Sequence, residues 1–155
     1  MNRVFAEADV RVLTGDVNFH YYAGYGGGRK SILPGVSGEA TIKSNHAMLL
    51  HLDSRTGVLS GNPVHEDMIE AARLAKVGFL LNVVTNSKGE VVKAFAGNFE
   101  KAFNEGVKLV DEMCRATVDR KADIVVVSPG GSPADLNLFQ AYKGVDSALE
   151  VVKRG

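Results

Sequence analysis

Two histidines bracket the stretch of this sequence best equipped for chemistry. Between His20 and His46, Gly24 and Gly26 to Gly28 run directly into Arg29-Lys30, with Tyr21, Tyr22 and Tyr25 interleaved. Glycine lets the backbone reach left-handed conformations and approach a ligand closely, because no Cβ is in the way. The bare N–H groups of Gly26, Gly27 and Gly28 can then cradle an anion, while Arg29 and Lys30 add charge and directional donors. His20, beside the loop at the end of a short extended piece, suits proton transfer near neutral pH. Flexible linkers are rich in serine and glycine and lack aromatics, so three tyrosines favour a ligand site over a plain linker.

Standard motifs do not fit this stretch. A phosphate-binding G-x-x-x-x-G-K-[ST] loop ending at Lys30-Ser31 would need glycines where Ala23 and Arg29 stand. Arg29 also occupies the last glycine position of a G-x-G-x-x-G dinucleotide fingerprint. His20, His46, His51 and His65 form no H-x-x-x-H or H-E-x-x-H pair, which excludes a zincin-type site. His46 and His51 are too far round a helix to share a metal comfortably. A lone helical histidine is more often a hydrogen-bonded structural residue than a ligand. Spacing alone therefore reaches an anion-binding domain with one or two usable histidines.

The elements that must position these residues form a 155-residue chain with 45% apolar and 23% charged residues, which is globular composition. Lys+Arg and Asp+Glu balance at 18 each, leaving no overall electrostatic footprint for nucleic acid or an anionic membrane. No apolar run approaches the ~20 residues of a membrane span and no signal peptide is evident, so a cytoplasmic protein is expected. The single cysteine, Cys114, excludes an internal disulfide framework and a cysteine-based zinc site, and reads as a core filler.

Periodicity predicts a strand over residues 9–15, an extended piece over 17–22, and a helix from 37 or 38 to about 51. In that helix Ile42, Leu49 and Leu50 are apolar, with Lys43 and His46 on other faces. Asn62-Pro63 predicts a capped helix with Val64, Met68, Ala71 and Ala75 inward and Gly78 as its stop. The apolar run 79–84 reads as a strand covered on both faces, joined by a turn at 86–89 to a second strand over 90–96. Asn98 opens a helix with Phe99, Phe103, Val110 and Met113 inward. A buried strand at 122–127, a loop at 128–135 and a helix with Leu138, Tyr142, Val145, Leu149 and Val152 inward complete the pattern. The fold class expected is α/β: a three-layer arrangement of mixed or parallel sheet with flanking helices. Ligand loops in such sheets gather outside the carboxyl ends of strands.

One family shares these residues. H-Y-Y-A-G-Y-G-G-G-R-K-S-I-L-P-G from His20 to Gly35, followed by Asn45-His46, resembles the lactate racemase family of nickel-pincer-nucleotide enzymes. Gly61-Asn-Pro-Val-His65 and the F-Q-A-Y-K run from Phe139 to Lys143 fit the same family. The resemblance implies an isomerase, a racemase or epimerase of a small 2-hydroxy acid, dependent on nickel in a nickel-pincer nucleotide (pyridinium-3,5-bisthiocarboxylic acid mononucleotide nickel). Lys30 matches the lysine that holds this cofactor, and His46 the histidine that completes nickel coordination. An imidazole suits nickel alongside softer sulfur donors. His20 matches one of two catalytic histidines, and Gln140 and Lys143 match a pair beside the substrate carboxylate and hydroxyl. Tyr25, Gly26, Gly27, Gly28 and Arg29 would lie near the cofactor. The implied chemistry is proton-coupled hydride transfer, in which a histidine takes the hydroxyl proton while the Cα hydride moves to the cofactor and returns to either face.

The family's D-D-x-T-R-P segment and second catalytic histidine belong to an N-terminal half that is not found in this sequence. The chain therefore reads as a fragment, inactive alone, with residues 1–115 as a cofactor-binding segment and 116–155 as a βα unit that begins a second domain. Apolar surface meant for the missing half would then be exposed and could drive self-association. A non-catalytic module that binds an anion or nucleotide is the alternative.

Overall fold

The computed structural model describes residues 1–153, and the chain divides into two compact units, Met1–Arg115 and Ala116–Gly155. In the first unit, Asn2 caps a short helix α1 (Arg3–Glu7) by accepting the N–H groups of Val4 and Phe5. Strand β1 (Val12–Asp16) follows. A two-stranded antiparallel hairpin, β2 (Phe19–His20) with β3 (Gly24–Tyr25), comes next, its strands joined by Tyr21, Tyr22 and Ala23. A 3-10 turn over Gly28–Ser31 then leads to helix α2 (Glu39–Ala47), which tightens into 3-10 geometry over Met48–Leu50.

Asn62 and Pro63 start helix α3 (Pro63–Leu74) as their types predict: the Asn62 side chain accepts from Val64 and His65, and proline sits where its missing N–H costs nothing. Val64, Met68 and Ala72, four residues apart, form its buried stripe. Its stop differs from expectation. Lys76 takes the left-handed conformation with φ 48°, while Gly78 already donates to Arg11 and opens the next strand. That strand, β4 (Phe79–Thr85), pairs in parallel with β1 and antiparallel with β5 (Val91–Gly97), giving a mixed sheet of order β1-β4-β5. Helix α4 (Phe99–Cys114), capped by Asn98, packs on β4 and β5 through Phe99, Phe103, Val107 and Val110. The α/β class with a mixed sheet and flanking helices is thus observed.

Several local expectations need correction. Strand β4 alternates: Leu80, Asn82 and Val84 are buried, while Phe79 and Leu81 are 43% and 42% exposed. Its apolar run therefore has one covered face in this chain, that under α4. Leu49 and Leu50 also point outward, and α2 instead turns Ile42, Asn45 and His46 towards the core. Met113 and Cys114 are exposed at the end of α4, so Cys114 is no core filler.

The second unit holds helix α5 (Leu138–Leu149), capped by Asn137. The strand expected at 122–127 is reduced to one parallel bridge, Ala122 with Val152, and Ile124 and Val126 stand exposed. An extended segment becomes a strand only beside a ladder partner, and no other pairs with it among the described residues. The apolar stripe of α5 is exposed as well, at Leu138, Tyr142, Val145 and Leu149. Among the described residues no helix is long and apolar enough to cross a membrane.

Candidate functional site

The Tyr22 ring, 6% exposed, is where three of the expected site residues meet. His20 packs its ring edge-on at 4.6 Å, His46 packs from α2 at 5.3 Å, and the Lys30 ammonium stands 5.8 Å above the ring centre. Tyr21 closes the cluster, stacked on His20 at 5.2 Å and edge-on to Tyr22 at 4.6 Å. Burial, with a smaller contribution from Tyr21, pushes the Tyr22 phenol up to about 12, so it stays neutral. Chain geometry makes the cluster: the hairpin turn carries His20 to Tyr22, the 3-10 turn presents Lys30, and α2 delivers His46.

The hydrogen bonds of the two histidines set their tautomers. Nδ1 of His46 lies 2.9 Å from the carbonyl of Ile42, one turn back. A carbonyl can only accept, so Nδ1 carries the proton and the Nε2 lone pair is left for a ligand, the usual arrangement of a metal-binding imidazole. In His20, Nδ1 accepts the N–H of Ala23 at 3.3 Å, which favours the proton on Nε2.

Arg29 is enclosed, whereas Lys30 is only partly buried. Arg29 is 0% exposed; its guanidinium donates to the carbonyls of Ala23 (2.6 Å), Tyr25 (2.8 Å) and Gly27 (3.3 Å) and lies 4.6 Å from the Phe103 ring centre. This corrects the expectation that Arg29 offers donors to a bound anion, because its forks are occupied internally. Tyr25 is also turned inward, at 1% exposure, with its hydroxyl donating to Asp111 at 2.6 Å and accepting from Arg115 at 3.2 Å. Both residues support the loop from within.

The glycines likewise serve packing. The N–H of Gly26 donates to Asn18, that of Gly28 to the Asn82 side chain and that of Lys30 to Gly27, so the run is no open anion cradle. Gly28 has φ +56°, and a Cβ there would lie 2.7 Å from the Phe103 ring; at Gly27, with φ +76°, it would lie 2.5 Å from the Asp16 carbonyl. Only glycine fits.

Sequence reading missed Asn82, and gave Asn62 only as a helix cap and Asn45 only as part of a motif, without the bonds by which they hold this arrangement. Asn82, buried in β4, accepts from Gly28 and donates to Gly15. Asn62 caps α3 and also donates to the carbonyls of Tyr22 at 2.9 Å and Val58 at 3.0 Å. Asn45, next to His46, donates to Val64 and Asp67. The available signal was a polar residue inside an apolar run, clearest for Asn82 in F-L-L-N-V-V.

His65 lies apart from the cluster. It lines an open groove of about 640 Å³ with Arg73, Glu100 and Asn104, where Arg73 pairs with Glu100 at 2.8 Å. Burial, reinforced by the Arg29 charge, lowers the His65 imidazole to about 3, so it is neutral throughout the physiological range. In the second unit, Lys143 Nζ donates to Gln140 Oε1 at 2.6 Å, one turn apart on α5, and both line a cavity of about 330 Å³ with Ser128 and Pro129.

A metal at His46 would have to bring other donors with it. Among the described residues no three His, Cys, Asp or Glu side chains come together as a metal-binding group. One imidazole with its Nε2 lone pair available, and an amine over the same tyrosine, fit a metal that arrives within an organic complex.

Comparison with known proteins bears on the fold and the family. Residues 1–57 match the profile of the lactate racemase N-terminal domain. Over its whole length the chain is 45% identical to the lactate racemase of Thermoanaerobacterium thermosaccharolyticum and 39% identical to that of Lactiplantibacillus plantarum. The structure of the lactate racemase apoprotein from the former superposes on the whole chain with a TM-score of 0.95 at 44% identity. The α/β fold is thus that of the corresponding part of a lactate racemase. The chain belongs to the lactate racemase family and spans 37% of the length of these two curated relatives.

Proposed function

We propose that this chain carries part of the active site of a nickel-pincer-nucleotide racemase or epimerase acting on a lactate-like 2-hydroxy acid. The observation that supports this most directly is the convergence of His20, Lys30 and His46 on Tyr22. In this reading Lys30 holds the cofactor and His46 Nε2 completes the nickel coordination. Such a cofactor, when bound, would supply a hydride acceptor for the substrate's Cα hydrogen.

The chain's own residues bind, orient and move the proton. Gln140 and Lys143, paired on one face of α5, orient the substrate carboxylate and hydroxyl. His20 exchanges the hydroxyl proton at Nε2, which requires release of the Ala23 contact on Nδ1. At 3.3 Å that bond is long, and giving it up costs about 1 kcal/mol or less. Tyr22 gives the two imidazoles and the amine a common buried ring to pack on.

We also place a domain boundary at Arg115, and infer that this chain alone, in the cytoplasm or in vitro, does not turn over substrate. Its exposed sheet residues Phe79 and Leu81 lead us to expect self-association of the isolated chain. A clean monomer in light scattering at high concentration would count against that. A non-catalytic anion-binding module is disfavoured because the amides of Gly26, Gly28 and Lys30 are already bonded.

The test is nickel content and intact mass after co-expression with the cofactor-making enzymes, on this chain and on the full-length gene product. Bound nickel that is lost in His46→Ala, with any added mass lost in Lys30→Ala, is the expected result. Absence of both nickel and added mass from both proteins would overturn the assignment.

A further inference from the structure

Arg29 is a cation with no carboxylate at ion-pair distance among the described residues, yet it is sealed from solvent. Burial lowers its guanidinium to about 9, which still leaves it charged at neutral pH. A hydrocarbon of similar volume would fill the same space without the cost of desolvating a charge. What a hydrocarbon cannot do is hold three carbonyls at once. Those of Ala23, Tyr25 and Gly27 belong to alternate residues of a loop in which Gly24 and Gly27 take φ +76°, and the planar guanidinium reaches all three from the turn that follows. Phe103 supplies a π face against the same group, and its Nε is buried without a hydrogen-bond partner. The charge is retained where its hydrogen bonds are all to this one loop.

We propose that Arg29 is a positioning residue: by tying the carbonyls of Ala23, Tyr25 and Gly27 to one rigid fork, it fixes the loop that presents Lys30 and the hairpin that carries His20. The placement of Lys30 as the cofactor lysine rests on the function proposed above; the clamp itself does not. Arg29 and Lys30 are neighbours in sequence with opposite tasks, one enclosed to hold the loop and one only partly buried to use it.

Amide hydrogen exchange on the cofactor-free chain tests the clamp. In Arg29→Met, residues 23–31 are expected to exchange roughly tenfold faster relative to β4 and α4 than in the unmodified chain, a local opening distinct from global loss of stability. Phe103→Leu, which removes the π face but leaves the three carbonyl bonds, is expected to change loop and core in step. Reductive methylation of Lys30, followed by peptide mass mapping, is expected to change in rate in Arg29→Met while that of the distant Lys88 does not. Loop and core exchange changing in step in Arg29→Met would overturn the proposal and leave Arg29 a core filler. Should that variant not fold, the unmodified chain decides. Through-hydrogen-bond couplings from the Arg29 Nη groups to the carbonyl carbons of Ala23 and Tyr25 support the clamp, and a freely rotating guanidinium refutes it. Because exchange is read without cofactor, failure here leaves the nickel and mass experiment intact, and failure there leaves the clamp.

Discussion

Asn82, at the centre of β4, accepts the backbone N–H of Gly28 at 2.8 Å, joining the sheet to the glycine loop through one side chain. Its amide also donates to the Gly15 carbonyl at 3.0 Å, so a single residue satisfies one buried and one partly buried bond to backbone groups from different elements. Asn82→Leu keeps the shape and removes both bonds. Unpaired buried groups cost roughly 1–3 kcal/mol each, and the variant is expected to lose about 2–4 kcal/mol in urea denaturation. A loss below ~1 kcal/mol would mean that water or a loop shift takes over both bonds.

Two glycines with positive φ separate backbone strain from close packing. Gly89, φ +78°, has nothing within 4 Å of a built Cβ, whereas Gly28, φ +56°, would press a Cβ to 2.7 Å from Phe103. Gly89→Ala is expected to cost about 1–2 kcal/mol, the strain of the left-handed conformation alone. Gly28→Ala adds overpacking of about 1–3 kcal/mol. Thermal melts that rank the two equally would contradict the close approach of loop and helix.

His65 imposes a pH dependence with a definite sign. The unfolded chain binds a proton at this residue near 6.5, while the native chain does so only near 3. Between those values the unfolded state holds more protons, so stability is complete above about 6.5 and falls as the pH is lowered. The limiting slope is about 1.4 kcal/mol per pH unit, and partial exposure of the ring reduces it to roughly half. His65→Leu is neutral in both states, so its melting temperature is expected to decline less than that of the unmodified chain between pH 6.5 and 4. Parallel curves would show that His65 takes up a proton in the folded protein.

The two asparagine caps should differ in cost. Asn98 accepts only the N–H of Lys101, at the surface, and Asn98→Ala is expected to lose about 1 kcal/mol. Asn62 caps α3 and also holds the carbonyls of Tyr22 and Val58, so Asn62→Ala is expected to lose roughly 2–3 kcal/mol. It should also broaden the NMR signals of His20 and His46, because Tyr22 loses its backbone anchor. Equal losses in the two variants would argue that the Tyr22 bond contributes nothing.

Signals carried by a few consecutive residues were legible without the structure. Asn62-Pro63 announced a helix start, the spacing of Phe99, Phe103 and Val110 announced the buried face of α4, and the 20–35 stretch identified the family. Each depends on backbone conformation or periodicity within a turn or two, which neighbouring residues largely decide. The same local reading overstated β4 as doubly covered and α5 as packed. An apolar residue states a preference for burial, while the availability of a covering layer is a property of the assembled chain.

The site divided along the same line. That His20, Lys30 and His46 belong to one site was implied by the sequence through family resemblance. That they meet on Tyr22 was decided by the tertiary fold, since hairpin, 3-10 turn and α2 have no local reason to converge. Arg29 and Lys30 look alike in sequence, two adjacent cations after glycines. Phe103 on α4 and the turned carbonyls of Ala23, Tyr25 and Gly27 draw one of them into the core and leave the other partly exposed. A charged side chain goes inside only where distant elements supply enough acceptors to replace water, and no local pattern encodes that supply.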